Sequence, residues 1–172
     1  MINSKIIKTA LLCYFKFGRA SFSVTEFQYN YGIADVLALN KKTKEITEVE
    51  VKISKQDLLN EIKQKEHKHK ILKTYKGNNY QYQYCDLTPN KFYYCVPEEL
   101  VKEAEKVIEI INPKYGIMVF KKHNRPQDSI DVIKRAYKLH KNGYNDLALK
   151  EILNRMNNEN CVLYRKMYWN DA

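Results

Sequence analysis

The sequence predicts an α/β domain built on a central mixed β-sheet flanked by helices. Three observations lead there. Stretches of 3.6-residue and two-residue apolar periodicity alternate along the chain. A strand, helix, strand succession between residues 92 and 120 demands a right-handed crossover and hence a parallel pair. At 172 residues the chain can bury one full core, so residues 1–172 read as a single domain, with a core over about 1–136 and a helical extension over about 141–172.

Each element has its own signal. Ile6, Ile7, Ala10, Leu11, Tyr14 and Phe15 fall at helical spacing with Lys5, Lys8 and Lys16 outside, which predicts an amphipathic helix over residues 3–17 ending at Gly18. Residues 22–29 alternate loosely as a first strand, and Asn30, Tyr31 and Gly32 turn the chain. Residues 33–39 and 46–53 alternate polar and apolar around the polar loop 40–44, the pattern of a β-hairpin. Ser54 is an N-cap for a helix running to about residue 76, stopped by Gly77. Phe92, Tyr93, Tyr94, Cys95 and Val96 form a buried strand closed by Pro97. A helix over residues 98–111, a strand over 115–120, an edge strand over 130–135 and a closing helix from Asp146 to about Asn157 complete the order.

Composition narrows the function classes. Thirty Lys and Arg against twenty Asp and Glu give a formal charge of +10, which favours a polyanionic partner, although a lysine-rich solvated surface gives the same balance. Cys13, Cys85, Cys95 and Cys161 form no C-x-x-C pair and read as buried free thiols. His67, His69, His123 and His140 have no zinc spacing and read as surface or nucleic-acid-facing side chains. The apolar run at residues 10–15 is too short for a leader or a membrane span, so the expectation is a cytoplasmic protein without membrane association.

The chemistry concentrates in the hairpin. If the loop is residues 41–44, Asn40 faces Glu45, and counting back in pairs sets Asp35 opposite Glu50 on one sheet face, with Lys52 next along that face. Two carboxylates facing across strands repel by up to about 1 kcal/mol unless a cation sits between them. A solvated hairpin face would also alternate Glu and Lys. Against that stands Asp35, set in the otherwise apolar Ile33, Ala34, Val36, Leu37, Ala38 and Leu39, where an unpaired carboxylate is expensive.

The order of elements, with Asp35 on the second strand and Glu50-Val51-Lys52 on the third, resembles the PD-(D/E)XK nuclease superfamily. More narrowly, Ile33-Ala34-Asp35-Val36-Leu37-Ala38-Leu39, Glu48-Val49-Glu50-Val51-Lys52-Ile53-Ser54-Lys55-Gln56-Asp57-Leu58, Lys68-His69-Lys70 and the run from Asn90 through Phe92-Tyr93-Tyr94-Cys95-Val96-Pro97 to Leu100 resemble the MmcB-like DNA-repair branch, over roughly residues 25–136. The Asp-x(14)-Glu-x-Lys spacing is weak alone and gains weight from its place on two hairpin strands before a capped basic helix.

The resemblance implies a restriction-endonuclease-like core and a metal-dependent DNA endonuclease in repair or DNA processing. It implies Mg²⁺ or Mn²⁺ held by Asp35, Glu50 and the Val51 carbonyl, with Lys52 activating water and stabilising charge at the phosphate. Its partner would be double-stranded or branched DNA, with RNA left open and a second copy of the chain as a further candidate. Many superfamily members add an acid from the first helix, whereas this chain has no Asp or Glu before Glu26, leaving Glu26 as the substitute ligand. The same departure supports an alternative, a weakly active or inactive nuclease-fold protein that binds DNA as an accessory subunit. A basic structural protein with no nucleic-acid role is a third reading.

Secondary features fit either of the first two. Lys55, Lys68 and Lys70, with His69, lie on the helix after the motif and are the expected DNA contacts, alongside Lys63, Lys65 and Lys73. A solvated face diluted by Glu61 and Glu66 accounts for these lysines equally well. Glu48 reads as an exposed hairpin glutamate or an outer-sphere contact. Tyr80, Tyr82 and Tyr84 read as packing residues before base-stacking ones. Lys134, Arg135 and Lys138, near His140, form a smaller basic patch.

Overall fold

The computed structural model describes residues 2–29, 32–75 and 87–168. Its centre is a six-stranded sheet in sequential order: β1 (Ser21–Tyr29), β2 (Gly32–Asn40), β3 (Ile46–Val51), β4 (Lys91–Pro97), β5 (Gly116–Phe120) and β6 (Ile130–Lys134). β1, β2 and β3 form an antiparallel meander, β3–β4 and β4–β5 are parallel, and β6 returns antiparallel as an edge. The protein is therefore α/β with a mixed sheet flanked by helices. Asn30 and Tyr31 of the first turn, the Gly77 stop and the 80–84 tyrosines lie outside the described residues.

α1 (Ser4–Cys13) begins where the Asn3 side chain accepts the Ile6 N–H at 3.0 Å, satisfying a donor that the first turn leaves open. It continues as a π-turn over Tyr14–Gly18 and packs Ile7, Ala10 and Leu11 with Val36, Val49, Val51 and Tyr93 on one sheet face. The opposite face carries the crossover helices. Phe92, Tyr94, Val96, Ile117 and Val119 pack there with Leu58, Leu72 and the apolar stripe of a helix at Val101–Ile111, which a 3₁₀ turn at Glu98–Leu100 introduces.

The helix expected from Ser54 to residue 76 is two helices, α2 (Lys55–Gln64) and α3 (Glu66–Thr74), so the Val101–Ile111 helix is α4. Ser54 does cap α2, accepting the Asp57 N–H at 3.1 Å. At Lys65 the backbone leaves helical geometry (φ −116°, ψ 21°), and this break turns Lys65 and Lys68 toward the same acid on β3.

α5 (Asp146–Tyr168) runs well past the expected end near Asn157. Ala148 and Ile152 pack with Val24, Leu37, Leu39 and Ile46, so the C-terminal extension covers β1–β3 on the crossover-helix face. Asn90 ties it down from β4's start, donating to the carbonyls of His140 (3.2 Å) and Asn142 (2.6 Å) while accepting the Ile46 N–H at 2.6 Å. His140 is thus a buried packing residue, with Nε2 at 3.1 Å from the Thr88 carbonyl, rather than part of a surface patch. The thiols also differ from expectation, since only Cys95 of the described three is buried and Cys161 is exposed. No helix among the described residues is long and apolar enough to cross a membrane.

Candidate functional site

The hairpin register matches the count made from the sequence. The Asn40 N–H bonds the Glu45 carbonyl at 2.9 Å, and the ladder runs from Leu39 opposite Ile46 to Val36 opposite Val49. One step further would set Asp35 opposite Glu50, but there the strands part. The Asp35 carboxylate takes the Val51 N–H itself, at 2.8 Å.

Alternation also slips at this point. Ala34 packs in the same cluster as Leu37 and Leu39, while Val36 and Ala38 pack on the α1 face. On β1, Val24 and Phe27 share a cluster although three residues apart, and Glu26 between them has φ 47° and drops out of the ladder opposite Asp35. A left-handed residue costs a non-glycine backbone on the order of 1 kcal/mol, and its effect is to re-aim side chains. Glu26 and Asp35 accordingly both pair with Lys8 of α1, Asp35 Oδ1 at 2.7 Å. The first helix thus brings a lysine to this pair of acids.

Glu50 turns the other way, under α2 and α3. Its side chain is 1 % exposed, with Oε1 2.6 Å from Lys68 Nζ and Oε2 2.7 Å from Lys65 Nζ. Lys68 also bonds Glu48 Oε1, and Tyr29 donates its hydroxyl to Glu48 Oε2 at 2.5 Å. Lys52 lies 3.9 Å from Glu50 and forms its short pair, 2.7 Å, with Glu61 of α2. Glu61 in turn meets His69 Nε2 at 3.2 Å, and His69 reaches the hydroxyls of Tyr115 (3.0 Å) and Tyr94 (3.3 Å).

Burial and charge set the ionisation. Burial pushes the Glu48 acid up to about 7 against the pull of Lys68. Glu50 is equally hidden, but the charges of Lys68 and Lys65 outweigh burial and hold it below the usual carboxylate range. Burial is likewise outweighed at Glu61, which His69, Lys52 and Lys65 hold at about 2. Burial first, then the Glu50 charge, raises Asp35 despite Lys8. Lys52 and Lys68 stay charged because their carboxylate partners overcome desolvation.

These positions correct several expectations. Asp35, Glu50 and Lys52 do gather at the end of the hairpin, yet the two acids address lysines from opposite faces of the sheet instead of one shared cavity. Glu26 joins Asp35 through Lys8 rather than as a free ligand. Lys68 and His69, expected to contact DNA, are buried and bonded inward, whereas Lys55 and Lys70 are exposed. Glu48, expected on the surface, is fully buried.

Sequence reasoning missed Glu61 and Lys65 as site members and Tyr29, Tyr94 and Tyr115 as their surroundings. The signal was present: Leu58, Glu61, Lys65, Lys68 and Leu72 are spaced 3, 4, 3 and 4 apart, one helical stripe whose middle is charged.

A divalent ion does not fit this arrangement as it stands. The buried carboxylates of Glu48, Glu50 and Glu61 face the ammonium groups of Lys52, Lys65 and Lys68, and Asp35 already shares Lys8 with Glu26. Each of these carboxylates already has an ammonium group at its oxygens, whereas a hard cation needs several oxygen ligands free to converge. Among the described residues no group of three His, Cys, Asp or Glu side chains is disposed to hold a metal.

No family model matches the chain, and no curated protein is significantly similar to it. Among solved structures it is similar to a protein of unknown function from Silicibacter pomeroyi, with a TM-score of 0.62 at 12 % identity over 100 % of this chain and 95 % of that one. That likeness is one of fold.

Proposed function

We propose that this chain is a PD-(D/E)XK-like, DNA-binding protein of the MmcB-like type in which lysines have taken over the charge balance a catalytic metal would provide, so that it binds nucleic acid with little or no cleavage. The observation that carries this reading is the Glu50 carboxylate held between Lys65 and Lys68. The net charge of +10 supports the polyanionic partner. Exposed Lys63, Lys70 and Lys73 line a cleft between α2–α3 and α4 and are suited to phosphate contacts.

The test is incubation with supercoiled plasmid and branched DNA in Mg²⁺, Mn²⁺ or EDTA, alongside binding measured across salt concentrations. The proposal expects salt-sensitive retention and intact plasmid under all three conditions.

A second reading, a Mg²⁺- or Mn²⁺-dependent endonuclease using Asp35, Glu50 and Lys52, is favoured by one observation. Burial and then the Glu50 charge raise Asp35, and the second of these is a repulsion that a shared cation would relieve. Nicking in Mn²⁺ that disappears in Glu50→Ala and in Lys52→Ala would establish it and overturn the first.

A further inference from the structure

At the other end of β3 from Glu50, cations gather around a single carboxylate. Glu45 is the one acid within residues 36–47 and 134–145, and it is already shared by Lys91 at 2.8 Å and Lys138 at 2.5 Å. Beside it the hairpin loop carries Lys41, Lys42 and Lys44, and Lys141 follows on the segment before α5. These four lysines are exposed and have no carboxylate partner among the described residues.

The backbone beneath them is pinned. Asn40 Oδ1 accepts the Lys42 and Thr43 N–H groups, both at 2.9 Å, and Asn40 Nδ2 donates to the Arg19 carbonyl at 3.2 Å. Lys44 has a left-handed backbone (φ 59°), its ammonium group lies 4.8 Å over the Tyr144 ring, and its carbonyl accepts the Tyr144 N–H at 2.9 Å. A Cβ added to Gly143 would come 2.8 Å from Lys44 Cβ, so the loop and the segment carrying Lys141 touch. Charges on a backbone already fixed lose less freedom on meeting a partner than charges on a loose loop.

Like charges drawn together repel, and a polyanion laid across them relieves the repulsion. No large apolar side chain is exposed within residues 40–45 or 138–143, so this surface has nothing to sink into a lipid interface. Lysine ammonium groups act as point charges that suit phosphates along a backbone. We infer that this end of the sheet is a second phosphate-backbone contact, holding duplex DNA through Lys41, Lys42 and Lys141. The inference rests on the nucleic-acid reading proposed above and adds to it a surface carried by different elements from the α2–α3 lysines.

Fluorescence anisotropy with a short labelled duplex, repeated over a series of salt concentrations, tests it. The triple variant Lys41→Ala/Lys42→Ala/Lys141→Ala should bind about tenfold or more weakly at low salt, and its slope of log K against log salt should fall by about 3, since each lysine on a phosphate adds about 0.9. Arginine at the same three positions should restore both. Lys102→Ala/Lys106→Ala/Lys150→Ala removes the same charge from exposed positions elsewhere and should keep a slope near the parent's. All six side chains are exposed, so the circular dichroism of every variant should match the parent. Equal losses in the two alanine variants, or a loop variant that binds like the parent, would overturn the inference and leave the proposed function standing. A parent that binds no duplex, with or without capture by phosphatidylserine vesicles, would overturn both.

Discussion

Lys68 of α3 places its ammonium group 2.6 Å from Glu50 Oε1 on β3, with both side chains almost wholly removed from solvent. Glu48 shares the same lysine. A buried ion pair is a poor source of net stability, but removing one partner strands the other charge in a low-dielectric interior. Lys68→Ala should therefore cost about 3–5 kcal/mol in urea denaturation. Adding Glu48→Gln to that variant should recover part of the loss, because Glu48 is the acid left without an ammonium group while Glu50 keeps Lys65. Additive losses would mean that the three groups do not form one unit.

Acidity should affect the fold in two windows of opposite sign. Glu48 holds its proton to about 7 in the folded chain but to about 4.5 when unfolded. Between those values the folded state binds more protons, so this group's contribution to stability falls as pH rises, and levels off above 7. Glu61, held at about 2, contributes stability that is complete above about 4.5 and is lost as pH falls toward 2. Denaturation midpoints of Glu48→Gln should lack the first decline, and those of Glu61→Gln the second.

The proposed binding to duplex DNA should weaken with salt through the exposed lysines of the α2–α3 cleft. Removing Lys70 and Lys73 together should reduce the slope of log K against log salt by about 2, since each phosphate neutralised by a lysine adds about 0.9 to it. Lys63→Ala added to the pair should lower it by about 1 more. An unchanged slope in these variants would move the DNA surface elsewhere on the molecule.

Much of the scaffold was legible because it follows from local chemistry. The Ser54 cap, the two-residue alternation on either side of the 40–44 loop and the apolar 92–96 run each specify a neighbourhood of a few residues, and each formed as expected. The register that relates Asp35 to Glu50 was legible for the same reason. What the hairpin count could not carry was the slip at Glu26 and Asp35, because a left-handed backbone at a glutamate has no compositional signature and it reverses which face a side chain addresses. The burial of Glu48, Glu61 and Lys68 was hidden by a general expectation that charged residues on a hairpin or helix face water. Only the tertiary approach of α2–α3 to β3, which lets acids and lysines desolvate together, overrides it.

The proposed role of lysines in place of a metal is tested most directly by titrating Mn²⁺ into the protein and recording heat. Ammonium groups already occupy carboxylate oxygens of Glu50 and Asp35, so no saturable heat should appear at millimolar metal. A stoichiometric binding isotherm that vanishes in Glu50→Ala would contradict this and make Glu50 a metal ligand.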